Sequence, residues 1–148
     1  MKISKIEFKS LNVYTLPQIE TLIRIESNEI ETKILVQQNS IMPDSINSLN
    51  KTLLIDTIYI TKTQNFEKLT SSVIAITSTN LLSNLSYEGL QGCQTQIEYG
   101  NDFNSIIYKV WSPDKDTKAR ELDTYVALCK QITKLGKLNY KDIISPKL

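Results

Sequence analysis

The chain has no histidine in 148 residues. That absence removes the Ser-His-Asp and Cys-His arrangements, every histidine-containing zinc site and the usual general base near neutral pH. Two cysteines, Cys93 and Cys129, cannot make a four-thiolate metal site. The four glycines, Gly89, Gly92, Gly100 and Gly136, build neither a glycine-rich phosphate cradle nor a dinucleotide fingerprint. Charge of one sign is also lacking. Seventeen basic and 16 acidic residues leave a net +1, too small a field to attract a phosphate backbone, so nucleic acid is disfavoured as a partner. No apolar run approaches the roughly 20 residues that cross a bilayer, and lysine interrupts the apolar positions of residues 1–7, unlike a secretory signal. The expectation is a cytoplasmic chain with no membrane contact and no cofactor, in which both cysteines are buried thiols.

What is present is a pattern for packing. A chain of this length forms one domain, residues 1–148, and buries roughly 70% of the surface its unfolded form exposes. Residues 94–138 carry the clearest signal. Thr95, Ile97 and Tyr99 alternate with Gln94, Gln96 and Glu98, and Ile106, Tyr108 and Val110 alternate with Ile107, Lys109 and Trp111, so two half-buried strands are expected. Gly100-Asn101-Asp102 supplies a hairpin connection, and Pro113 ends the second strand. Leu122, Tyr125, Val126, Cys129, Ile132 and Leu135 then recur at helical spacing and predict a helix near 117–136, with Ser112, Asp114, Asp116 and Thr117 all able to cap its start and Gly136 suited to a left-handed cap at its end.

Earlier in the chain, residues 1–16 read as one or two strands. Ile19, Thr21, Ile23 and Ile25, then Ile30, Thr32, Ile34 and Val36, predict a hairpin turning at Ser27-Asn28-Glu29. The polar residues 37–51, with Pro43-Asp44, read as a loop. Residues 52–62 are dense in β-branched side chains and read as a more buried strand. In residues 64–85, Phe66, Leu69, Val73 and Ile76 follow helical spacing, and helix is preferred to strand on length. The whole predicts an α+β fold: a mainly antiparallel sheet of N-terminal hairpin, central strand and C-terminal hairpin, covered by one or two helices.

Chemistry on this inventory rests on carboxylates and aromatics. Asp102 with Asp114 and Asp116, or Glu88 with Glu98, could act as acid and base or hold Mg²⁺, though each also has a local role as a turn, helix-start or solvent-face residue. Tyr87, Tyr99, Phe103, Tyr108 and Trp111 gather around the same hairpin, and Phe103 in its loop has no evident burial partner.

Tyr87-Glu88-Gly89-Leu90, the alternating strand, the Gly-Asn-Asp loop, the strand ending in Val110-Trp111-Ser112-Pro113 and the final amphipathic helix resemble a pattern in small uncharacterised bacterial proteins. Some of these are encoded beside secreted or contact-delivered toxins and look like their immunity proteins. The resemblance covers roughly the last 60 residues and departs from the commoner form where Glu88-Gly89 is followed by Leu90-Gln91-Gly92. It implies a non-catalytic, protein-binding chain that blocks a toxin's active site, and it carries over no catalytic residue and no metal ligand. The residues expected to touch such a partner are Tyr87, Glu88, Asp102, Phe103, Trp111, Asp114 and Asp116. The alternatives are a structural or adaptor subunit of a larger assembly and a carboxylate- or metal-dependent hydrolase.

Overall fold

The computed structural model of the chain describes residues 2–14, 16–45, 48–76 and 92–145. Within them the elements run β1 (Lys5–Asn12), β2 (Gln18–Ser27), β3 (Thr32–Ser45), β4 (Ser48–Thr61), α1 (Thr63–Ile76), β5 (Cys93–Gly100), β6 (Ser105–Trp111), α2 (Asp123–Leu135) and α3 (Tyr140–Ile144). The strands form a single antiparallel sheet in the order β4-β3-β2-β1-β5-β6, which is the expected α+β class.

Period-two alternation gives this sheet one apolar face. Phe8 on β1 sits between Ile23 on β2 and Ile97 on β5, and Ile6 sits between Ile25 and Tyr99. The same rows continue outward through Ile34 and Val36 on β3, and Val110 on β6 lies on the same face one row along, opposite Thr95; all of these apolar side chains are buried. Onto this face α1 lays Phe66, Leu69, Val73 and Ile76, α2 lays Tyr125, Leu128, Cys129 and Ile132, and α3 lays Tyr140, Ile143 and Ile144, all in one core. The opposite face carries Glu7, Lys9, Leu11, Leu22, Arg24 and Leu35, and no described helix packs against it.

Buried hydrogen bonds fix how the helices sit. The Thr95 hydroxyl donates to the Val110 carbonyl at 2.7 Å, and because a hydroxyl has one hydrogen, the 2.8 Å contact with fully buried Tyr125 must have the tyrosine as donor. This pair ties α2 to the β5–β6 hairpin. The Asn12 amide donates to the Ile143 carbonyl at 2.8 Å and ties α3 to β1.

Four expectations are corrected. Residues 37–51, expected to be a loop, instead extend β3 as far as Ser45 and begin β4 at Ser48, with residues 46–47 outside the described residues, because polar side chains there find partners across the strands, Gln37 with Asp56 at 3.2 Å, Gln38 with Thr21 at 3.1 Å and Asn39 with Glu20 at 3.3 Å. The strand over residues 52–62 is not a buried central one but the sheet's edge, and β1 takes the central place. The last helix begins at Asp123 rather than near 117, since Glu121 at φ 56 breaks the preceding turn away from it, and Leu122 at its start offers no side-chain cap. At its other end the left-handed residue is Lys137, φ 59, and not Gly136, which instead lets the chain pass close over Ile23 and Val36. The helix expected in residues 64–85 is present as α1 as far as Ile76, and residues 77–91 lie outside the described residues.

The bond order at α2 has a measurable consequence. Tyr125→Phe removes one buried hydrogen bond and costs about 1 kcal/mol of stability, whereas Thr95→Val leaves the buried tyrosine hydroxyl with only the weak sulfur acceptor of Cys129 and costs about 1–3 kcal/mol. Urea denaturation of both variants checks this, and a phenylalanine variant less stable than the valine variant contradicts it.

Candidate functional site

At one end of the sheet two hairpin turns project side by side. In the β2–β3 turn the Asn28 side-chain oxygen accepts from the Ile30 and Glu31 amides at 2.8 and 2.9 Å, while the Asn28 amide donates to the Glu31 carbonyl at 3.1 Å. In the β5–β6 turn Asn101 does the same: its oxygen accepts from the Phe103 and Asn104 amides at 2.9 and 3.0 Å, and its amide donates to the Asn104 carbonyl at 2.9 Å. An asparagine that mimics a backbone turn in this way holds four residues in a fixed shape. The two turns, Asn28-Glu29-Ile30-Glu31 and Asn101-Asp102-Phe103-Asn104, therefore present an acidic and then an apolar residue in the same geometry. Ile30 is 91% exposed and Phe103 is 92% exposed. The β1 chain start is laced between them, the Ser4 amide donating to Gly100 and its carbonyl accepting from Ser27. Three strand spacings separate the turn centres, about 14 Å.

The other expected site residues stand elsewhere. Trp111, Asp114 and Asp116 lie at the far end of β6, seven residues or about 23 Å from Asp102 and Phe103. Buried Arg120 organises that end: its guanidinium donates to the carbonyls of Trp111 at 2.8 Å, Ser112 at 2.8 Å and Lys115 at 3.0 Å. The Lys115 ammonium sits over the rings of Trp111 and Tyr14, at 5.0 and 5.4 Å. Gly92 lies flat against the Trp111 indole, where a Cβ would come within 2.6 Å of the ring. Trp111 is thus part of a packed corner. Tyr87 and Glu88 lie outside the described residues.

The helix-free face holds an open groove of about 800 Å³ walled by Lys9, Lys51, Lys109 and Trp111 over Leu11 and Leu22. Two of its three lysines are paired from within. Lys51 bonds Glu20 at 3.0 Å, and beside the groove Glu7, 5% exposed, accepts from Arg24 at 2.7 Å and Lys9 at 3.2 Å. Burial pushes the Glu7 carboxyl up, but the Arg24 and Lys9 cations outweigh it and hold the group below its ordinary value of 4.5.

Both thiols are free and buried. Burial, with Asp114 adding to it, pushes Cys93 up to about 12, and burial raises Cys129 further, so neither is a nucleophile at neutral pH. Among the described residues no three cysteine or carboxylate side chains converge as a metal site, and Asp102 is not brought to Asp114 and Asp116. Among the described helices none is long and apolar enough to cross a membrane. No family model matches the chain, and no curated protein matches it in sequence.

The residue that sequence reasoning missed is Ile30. Its spacing matches the buried alternation of Ile34 and Val36, yet β3 starts only at Thr32. The usable signal was the repetition of asparagine, acid, apolar residue in both turns.

Because the Glu7 value is depressed on folding, its contribution to stability is complete above the unfolded value near 4.5 and is lost as pH falls through the lower folded value. Glu7→Gln therefore costs about 1.5–3 kcal/mol at neutral pH, the worth of a charged hydrogen bond. The gap to the parent closes as pH drops below 4.5, which urea titrations at several pH values read directly; a gap that stays constant with pH contradicts the assignment.

Proposed function

We propose that the chain is a non-catalytic protein-binding module of the immunity-protein kind, which occludes the active site of a toxin domain with the turn end of its sheet. The observation that carries this reading is Phe103, 92% exposed on a turn whose shape is already fixed, with Ile30 matching it 91% exposed. A single exposed apolar residue needs no explanation. Two in identical turns at one end of a sheet make a pair of anchors, and a pre-shaped turn loses little conformational freedom on docking. Glu29 and Asp102 beside the anchors favour a partner whose apolar pockets are rimmed by lysine or arginine, while Glu31 is already paired with Lys33 at 3.1 Å. A protein interface of ordinary size, about 800 Å² per partner, covers both turns at their separation.

The test starts from co-purification of the tagged chain with the products of adjacent genes, followed by calorimetry and inhibition assays on the pair obtained. Ile30→Ser and Phe103→Ser each weaken that pair about thirtyfold or more, as buried anchors do, while thermal stability stays within about 0.5 kcal/mol of the parent. Asp114→Ala and Asp116→Ala, at the far end of β6, leave affinity unchanged. A complex that tolerates Ile30→Ser and Phe103→Ser together is bound by another surface.

A further inference from the structure

The two edges of the sheet are built differently. β6 is seven residues long, carries Lys109 near its middle and is followed by Pro113. Shortness, lysine and proline all discourage an edge from pairing with another chain. β4 runs for 14 residues, against a usual five or six, with no proline and no lysine between Lys51 and its end at Thr61. Among the described residues it pairs only with β3, and no described strand takes up its outer row of backbone donors and acceptors. Leu53, Leu54, Ile58 and Ile60 along it are 52–63% exposed.

This edge matches itself. Laid antiparallel about Thr57, the strand sets Thr57 against Thr57, Ile55 against Tyr59 and Leu54 against Ile60, with no two like charges opposed and all of residues 53–61 inside β4. An axis at Asp56 opposes two aspartates, which destabilises a pair. Axes at Ile58 or Tyr59 draw Lys62 and the start of α1 into the ladder. The bulge at Leu54 falls at the end of the matched stretch and leaves residues 55–61 in straight register with β3.

We propose that the occupant of the β4 edge is a second copy of this chain, joined across a two-fold axis at Thr57 so that the two sheets become one. That axis stands perpendicular to the sheet, so the helices of both copies lie on one side and the two turn ends point in opposite directions. This inference does not depend on the partner proposed for the turns.

Sedimentation equilibrium on the full chain tests it, with an expected mass twice that of one chain. Leu54→Lys with Ile60→Lys, at positions 52 and 63% exposed that oppose each other across the axis, sets like charges against one another, halves the mass at the same concentration and leaves the circular dichroism spectrum unchanged. Opposed residues in an antiparallel pair lie about 4.5–5.5 Å apart at Cα, within disulfide reach. Thr57→Cys therefore gives a covalent dimer with oxidised glutathione, whereas Cys93 and Cys129 are buried. A monomer at all attainable concentrations overturns the proposal, as does a dimer indifferent to the lysine pair. Cross-linking through Tyr59→Cys instead of Thr57→Cys overturns the register.

Discussion

The fold depends on β1 being bonded on both sides. It is the strand through which two stretches distant in sequence become one sheet: residues 18–61 form a β2-β3-β4 meander, residues 93–111 form the β5–β6 hairpin, and eight paired positions on each flank of β1 join them. Each half alone is a sheet with an uncovered apolar face. Together they make a surface wide enough for α1, α2 and α3. The closing of a loop of about 80 residues between β1 and β5 costs entropy that grows only slowly with length, and the burial of Ile6 and Phe8 between their neighbours on both sides offsets it. The hydrogen bonds that dock the helices use the same junction, since Asn12 ends β1 and Thr95 belongs to the strand beside it.

How much of this is legible in the sequence follows from what sets each pattern. Where one face of an element is buried, the period of its apolar residues reports it, and β2, β5, β6, α1 and the apolar stripe of α2 are all readable on that ground. The pattern fails where polar residues pair with one another. The tail of β3 alternates nothing apolar, yet Gln37, Gln38 and Asn39 each bond a residue on a neighbouring strand. Pro43 there is no obstacle, because the ladder with β2 has ended at Ile41 and β3 has one neighbour beyond it among the described residues. β4 misleads in the opposite sense. Its β-branched density reports a strand but not its place in the sheet, because edge and centre favour the same backbone shape.

The site is legible only in part for a related reason. Phe103 stands out because its loop is short and its neighbours are turn formers. Ile30 is hidden because its even spacing from Ile34 and Val36 imitates a buried position, and the two-residue difference between the turn and the start of β3 cannot be seen in spacing alone. Asp114 and Asp116 are near Asp102 in sequence, but a strand between two points in a chain keeps them apart by its length.

Exposed charge does not by itself mark a docking surface here. On the helix-free face Glu7 is already held by Arg24 and Lys9, and Glu20 by Lys51, so a partner would have to strip water from pairs that gain little in return. At the far end of β6, Arg120 and Lys115 are engaged with the loop's own carbonyls and rings. Most of the visible polarity serves the fold that displays it. The turn end and the β4 edge are different in kind: their exposed apolar side chains, Ile30, Phe103, Leu53, Leu54, Ile58 and Ile60, stand on pre-shaped backbone, and covering them releases water. The two surfaces also ask for different occupants, since the turns offer side chains to pockets while β4 offers a backbone ladder, which only another strand can complete.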